Sequence, residues 1–509
     1  VGHLPGRSVP VATSGKNYTI SYDPIFLEFS KSGYADCKLI YDLSDSERVR
    51  PLKEHLDISI GKCDVPRRTP SFFDPVYSHA FELAWAYLAK DLTVYLTPEL
   101  CKEAEFNFQA SAGFPYTSYG YRTKGKAFES DLFKDLIDRY DFIPLDTVNS
   151  KDEFLSMDDL QRKKLRTTFG APLDKVAKQK FFFDGQNSNI IKSSNHSWIQ
   201  YGMCKQYGGF HRAVKRLEEF TDIVQSDASG WDRNSYLGPV YILRLRGLRI
   251  PYTHQGLLND TVFHSVFPTI LLPDGSVYIR ITGNDSGGNN TASDNSILHL
   301  IIMFHLLCEA FYRKYNSLPS LENILDNALV LIYSDDKLGG VNLSYFGLDH
   351  ETFAIIEQEI YALYGMVIKP SSILVTSVTG HIDPRHEFLG SFLHFDERTA
   401  RYIPYPRIGK ICSSITRVGM NPDLSDIEFF MKILQLTLLS YMDKRVFTIL
   451  SIYVEWLIER SGNNPEFYQV LYENDLRSLT PYDAMSYHLG WESIRDSSGG
   501  AGPPLDVHF

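Results

Sequence analysis

Two short apolar runs each stop just before an acid: residues 221–225 (TDIVQ) lead to Asp227, and residues 329–333 (LVLIY) lead to Asp335. Their length and β-rich content predict buried strands. Between them a Gly-rich stretch at 283–288 opens into a segment whose apolar spacing predicts one long helix over residues 294–313. Strand, loop-to-helix, strand predicts an α/β (α+β) chain with both acids at strand tips. Further on, residues 424–462 carry apolar positions at helical spacing in two blocks, after a helix-start pattern at 422–426 (PDLSD). They predict two packed helices in a small helical C-terminal domain. The most apolar run, residues 297–308 (ILHLIIMFHLLC), contains His299 and His305. It falls short of the about 20 residues a span needs, so it predicts a buried helix and no transmembrane segment. Residues 497–504 (SSGGAGPP) predict a flexible tail, and no internal repeat is evident.

Composition adds bounds. A chain of 509 residues with 43% hydrophobic and 22% charged residues is long enough for about three units with cores of their own. The formal net charge of −11 argues against a protein that coats nucleic acid everywhere, but leaves room for a basic channel. Basic residues cluster at Arg162, Lys163, Lys164 and Arg166, and again at Lys175, Lys178 and Lys180. The cysteines (37, 63, 101, 204, 308, 412) have no zinc-ribbon spacing, so reduced thiols and a cytosolic setting are expected. The N-terminus has neither a hydrophobic signal core nor an initiating Met, as expected of a product cleaved from a polyprotein or of a shortened chain.

The chemistry sits in four ordered segments: DASGWD (227–232), GNDSGGNNTASDN (283–295), YSDD (333–336) and FLG (388–390). Adjacent acids at the end of an apolar strand repel one another, and the single neighbouring cation, Lys337, cannot neutralise Asp227, Asp335 and Asp336 together. Paired carboxylates at this spot suit divalent metal, because Mg²⁺ takes oxygen ligands. The middle segment supplies hydroxyl and amide groups fit to read a ribose, with Thr291 five and Asn295 nine positions after Ser286.

These segments together resemble the core of RNA-dependent RNA polymerases from positive-strand RNA viruses of the picornavirus-like supergroup. ASAGFPY (110–116) is similar to their template-entry motif, and KDE (151–153) followed by Lys164 and Arg166 to their triphosphate tunnel. The resemblance implies a right-hand fold closed by fingertips. Fingers would span residues 1–220 with a further insertion at 241–280, palm 221–240 and 281–395, helical thumb 396–490, and a flexible tail 491–509. It implies Asp227, Asp335 and Asp336 as catalytic metal ligands with the carbonyl of Ala228, and Mg²⁺ as cofactor with Mn²⁺ as substitute. Lys369 would be the proton donor. Lys151, Lys164, Arg166, Asp232, Ser286, Gly287, Thr291 and Asn295 would bind the ribonucleoside triphosphate, with Asp232 and Asn295 hydrogen-bonded to each other. Ser111, Ala112 and Gly113 would meet the template. RNA template and product strand, a protein primer (VPg) and other viral replication proteins are the implied partners, at membrane-associated replication complexes in the host cytoplasm.

The chain departs from that pattern in three places. Ser334 stands where most such enzymes have Gly, Asp285 adds an acid to the loop, and Lys369 precedes Pro370 instead of following it. The rival readings are a reverse transcriptase, which shares strand-tip acids but carries a bulky gate against the 2′-hydroxyl, and a non-catalytic polymerase-like scaffold.

Overall fold

The computed structural model describes residues 2–3, 23–44, 48–49, 69–92, 106–137, 139, 142–150, 155–156, 167–235, 245–247, 250–272, 275–284, 288–397, 399–416 and 424–473. Both acid-ended runs are strands, in one four-stranded antiparallel sheet. In chain order the strands around it are β1 (Asp222–Gln225), β2 (Ala228–Ser229), β3 (Ala328–Tyr333), β4 (Asp336–Val341), β5 (Val367–Ile368) and β6 (Leu374–Ser377). The sheet order is β3-β4-β1-β6, while β2 and β5 form a separate small pair. A three-stranded antiparallel meander follows: β7 (Glu387–Phe388), β8 (Ser391–Asp396) and β9 (Arg401–Pro406). A second sheet has five strands, ordered Gly2–His3, Ser276–Ile279, Thr269–Leu271, Leu145–Ser150 and Thr167–Gly170.

Seven helices matter below: α1 (Pro24–Lys31), α2 (Pro75–Leu88), α3 (Leu173–Ser193), α4 (Thr291–Tyr315), α5 (His350–Leu363), α6 (Asp426–Leu439) and α7 (Lys444–Arg460). Local chemistry fixes where they begin. Asp23 and Asp74 accept hydrogen bonds from the first free backbone N–H groups of α1 and α2, and each is followed by Pro at a position that has no N–H to waste. At the start of α6, inside the PDLSD pattern, Ser425 and Glu428 form a reciprocal capping box.

Helix α4 is the predicted long helix, three residues longer at its N-terminal end and two at its C-terminal end. By length and composition it would pass for a membrane span, yet 89% of its most apolar window is buried inside the protein. α2 covers part of it, with Tyr87 against Phe304 at 5.9 Å and Tyr77 edge-on to His305 at 5.3 Å between ring centroids. β3, β4, α2, α4 and α5 all contribute to this core.

α6 and α7 are the two helices expected at the C-terminus, and they share a second core with α1 from the opposite end of the chain. Phe29 stacks on Tyr453 at 4.5 Å, and Phe26 meets the same ring edge-on at 5.4 Å. Residues 23–44, grouped by sequence with residues 1–220, thus pack with the C-terminal helices. Cys37, Cys204, Cys308 and Cys412 are free thiols; Cys63, Cys101 and the 497–504 tail lie outside the described residues.

Phe29→Ala is expected to lower stability by about 3–5 kcal/mol, the usual loss for a buried Phe truncated to Ala. Hydrogen exchange should then accelerate in α6 and α7. Unchanged exchange there would show that α1 is not part of that core.

Candidate active site

Asp227, Asp335 and Asp336 meet at one end of the four-stranded sheet. β4 pairs with β1 so that Gly339 faces Val224, and counting on in this register brings Asp336 level with Asp227. Asp335 sits in the two-residue turn between Tyr333 and Asp336 that joins β3 to β4. Burial, and after it the charges of Asp335, Glu387 and Asp227, push the Asp336 carboxyl up to about 7, against the Leu389 N–H that favours its ionised form. Crowded carboxylates of this kind fit a divalent cation. Among the described residues no three His, Cys, Asp or Glu groups are gathered closely enough to enclose an ion by themselves. Mg²⁺ is usually held by one or two carboxylates together with substrate phosphates, so the donor set present suits it.

Behind the acids lies a buried polar network. Lys337 follows Asp336, and strand alternation turns its side chain to the opposite face. It is buried, 1% exposed, and pairs with the wholly buried Glu357 of α5. Glu357 also accepts a hydrogen bond from Ser226 Oγ at 3.0 Å, one residue before Asp227. The Lys337 ammonium lies 4.7 Å from the centre of the Tyr361 ring. The Tyr361 hydroxyl in turn reaches His299 Nε2 at 2.6 Å, and His299 Nδ1 reaches the Ser334 carbonyl at 3.1 Å. A carbonyl can only accept, so Nδ1 carries the proton and Nε2 accepts from Tyr361. Burial, with Lys337 adding to it, holds His299 neutral, well below the ordinary histidine range. Lys337 is therefore a structural cation facing away from the acids it adjoins in sequence.

The turn itself is left-handed at Ser334, with φ 58°, where a side chain is strained and Gly is free. α4 holds it: Ser334 N–H donates to Ser296 Oγ at 2.8 Å, and Asn295 Nδ2 donates to Ser334 Oγ at 3.2 Å. Asn295 Oδ1 accepts from Asn284 Nδ2 at 2.8 Å. In this structure the Asn295 side chain is thus bonded to Ser334 and Asn284, with the expected bond to Asp232 not formed. Asp232 falls in a short helix, Trp231–Asn234, after Gly230 turns the chain at φ 81°. A Cβ at Gly230 would come within 2.7 Å of Asn234 Nδ2. Thr291 begins α4 and its hydroxyl donates to the Gly288 carbonyl at 3.0 Å.

Lys369 is exposed and stands beside Asp227. β5 pairs Ile368 with Ala228, so Lys369 is next in register to Asp227, and Ser372 Oγ donates to the Asp227 carbonyl at 3.2 Å. Ala228 itself is buried. Ser111 is exposed whereas Ala112 and Gly113 are buried against the start of α3. Leu173 N–H donates to the Ala112 carbonyl at 3.0 Å, and a Cβ on Gly113 would lie 2.8 Å from Pro172 Cα. Lys175 pairs with Asp146 and Lys180 with Asp184, so part of the basic patch is neutralised internally. Lys151, Lys164, Arg166, Asp285, Ser286 and Gly287 lie outside the described residues.

A hairpin from β7 to β8 closes the site from the side. Its turn residue Leu389, at φ 52°, donates its N–H to Asp336 Oδ2 at 2.6 Å, and its carbonyl accepts from Lys205 Nζ at 2.7 Å. His386 fastens the hairpin to the sheet, with Nε2 at 2.8 Å from Thr376 Oγ1 and Nδ1 at 3.2 Å from Gln225 Oε1. Nothing local in the sequence marks Lys205. Glu357 did leave a signal: it falls among the buried Phe353, Ile356 and Ile360 of α5, where a carboxylate stays only if paired.

A family model described as viral RNA-dependent RNA polymerase matches residues 94–376, more than half of the chain. The chain belongs to that family. The polymerase is 25% identical to the non-structural polyprotein 1AB of Turkey astrovirus 1 over 306 residues, which is 56% of this chain and 18% of that one. It is also 25% identical to the genome polyprotein of Tobacco vein mottling virus over 305 residues (55% and 9%), and to that of Zucchini yellow mosaic virus (strain Singapore) over 211 residues (40% and 7%). The matched regions thus cover less than a fifth of these relatives' length. The family depends on divalent metal.

Two outcomes are expected of this arrangement. Lys337→Met or Glu357→Gln alone should destabilise the polymerase by about 3–5 kcal/mol, since each leaves a buried group unpaired, while the double variant Lys337→Met/Glu357→Leu should recover much of that loss in denaturant melts. The pH dependence follows from the buried histidines. Burial holds His305 and His386 down at about 4, and His299 well below the ordinary histidine range, against about 6.5 when unfolded. The unfolded imidazoles then bind more protons below about 6.5, so the histidines' share of the stability is full above that pH and is lost as pH drops towards 4, while Asp336, held up at about 7, acts in the opposite sense. His386→Gln should flatten part of that slope in melting midpoints recorded across the range.

Proposed function

We propose that this chain carries out template-directed RNA synthesis from ribonucleoside triphosphates, copying a viral RNA genome. The observation that carries the reading is the register that brings Asp227 level with Asp336 while the adjoining turn holds Asp335 beside them. Asp227 and Asp335, with Asp336 and the Ala228 carbonyl, would hold divalent cations, Mg²⁺ first and Mn²⁺ in its place. Bound there, such ions activate a 3′-hydroxyl and stabilise departing pyrophosphate.

The chain's own groups would do the rest. Leu389 N–H keeps one oxygen of Asp336 directed, and Lys205 holds the carbonyl of the same residue. Lys369, exposed and in register beside Asp227, is suited to stabilise charge or give up a proton at the leaving group. Asp232, Ser286, Gly287, Thr291 and Asn295 would read the ribose, Lys151, Lys164 and Arg166 would guide the triphosphate, and Ser111 would meet the template. The division into fingers, palm and thumb follows the family's right-hand architecture. Like its polyprotein relatives, the polymerase would be released from a longer precursor, act in the host cytoplasm with other viral replication proteins, and accept a protein primer.

Primer extension on an RNA template, with Mg²⁺ or Mn²⁺ and with ribo- or deoxyribonucleotides, tests this. Asp335→Ala should reduce extension by more than about tenfold, a loss above about 1.4 kcal/mol of transition-state stabilisation. A folded Asp335→Ala protein that extends within tenfold of the parent would overturn the site, and equal use of deoxyribonucleotides would favour a reverse transcriptase.

A further inference from the structure

We propose that Ser334 is a positioning residue for sugar selection: its hydroxyl fixes the Asn295 amide in the orientation that reads the incoming nucleotide's ribose. The inference rests on the reading of Asn295 as a ribose-facing group. It adds a residue whose side chain is otherwise out of place, since Ser334 occupies a left-handed turn at φ 58° where Gly would sit without strain.

A primary amide has two N–H donors and two acceptor sites on its oxygen. Asn295 uses one of each within the protein: its nitrogen donates to Ser334 Oγ at 3.2 Å, and its oxygen accepts from Asn284 Nδ2 at 2.8 Å. Two bonds at opposite ends of a planar group set both its position and its rotation. One N–H and one oxygen acceptor site remain for a ligand. The hydroxyl that supplies the anchor stands on a held backbone, because Ser334 N–H donates to Ser296 Oγ at 2.8 Å and the Ser334 carbonyl lies 3.1 Å from His299 Nδ1. All three contacts go to residues of α4. The turn that presents Asp335 and the helix that presents Asn295 are therefore one hydrogen-bonded unit, in which the hydroxyl carries sugar discrimination and the backbone bonds carry the placement of the acids.

The deciding measurement is the ratio of ribonucleotide to deoxyribonucleotide incorporation efficiency for the parent, Ser334→Ala, Ser334→Gly and Asn295→Ala, and for Asn295→Ala combined with Ser334→Ala. Any general damage to the turn or to folding lowers both efficiencies alike and cancels in the ratio. Removing the hydroxyl should lower the ratio about 3–10-fold in both Ser334 variants, tenfold corresponding to about 1.4 kcal/mol. It should lower the ratio no further once Asn295 is Ala, because the two act as one unit. The inference is overturned if Ser334→Ala leaves the ratio unchanged, if only Ser334→Gly lowers it, or if the Ser334 and Asn295 effects add. An unchanged ratio in Asn295→Ala itself removes the ribose-facing role of Asn295 and the inference with it, whereas a reduced ratio there beside a silent Ser334→Ala overturns the inference alone.

Discussion

The buried ion pair between Lys337 and Glu357 is the constraint on which the site depends. Two opposite charges taken out of water must be matched closely in position, because the desolvation penalty is recovered only when geometry and additional hydrogen bonds are good. Here the match ties three elements at once. Lys337 belongs to β4 next to Asp336, Glu357 belongs to α5, and the same carboxylate receives Ser226 Oγ from the residue before Asp227. A shift of either acid-bearing strand along its axis would break this arrangement. Apolar packing alone would tolerate such a slip better, since dispersion contacts lack a fixed direction.

Strain in front of the acids complements that rigidity behind them. Ser334 and Leu389 both hold positive φ angles, and both present backbone groups to the site or its supports. Leu389 gives its N–H to Asp336 while Lys205 takes the carbonyl of the same residue. Backbone in a sparsely populated conformation persists only where its surroundings over-determine it. The hairpin from β7 to β8 meets that condition through His386, which reaches both Thr376 on β6 and Gln225 on β1.

Much of this was legible before any coordinates. The strands that stop two residues before Asp227 and Asp335 lie where the two apolar runs do, because a strand buried on both faces writes a continuous signal. The long helix and the two C-terminal helices likewise follow their apolar spacing. What sequence could not supply was partner choice across long separations. Lys337 looked like a neighbour of the acids because it is adjacent in the chain, whereas alternation along β4 sends it into the core. Asn295 was expected to meet Asp232, yet Asn284 and Ser334 take its amide, since side-chain partnership is decided by which loop lands nearest after folding. Residues 23–44 carried no mark of belonging with helices more than three hundred positions later; the stacked Phe29 and Tyr453 rings show that they do.

The register between β1 and β4 also bears on how such a chain can change over generations. Asp227 and Asp336 are set relative to one another by backbone pairing, from Gly339 facing Val224 onward, and by the buried pair behind them. The chain that runs between the two acids contributes α4 to the core, and among the described residues of the stretch before α4 none takes part in that pairing or in the ion pair. Lengthening a flexible connection to twice its size adds only about 0.6 kcal/mol of closure entropy. Insertions there would leave the pairing of the acids in place, but Trp231, Arg246 and Asn284 tie the same stretch to α4, so changes at those positions would be felt at Asn295.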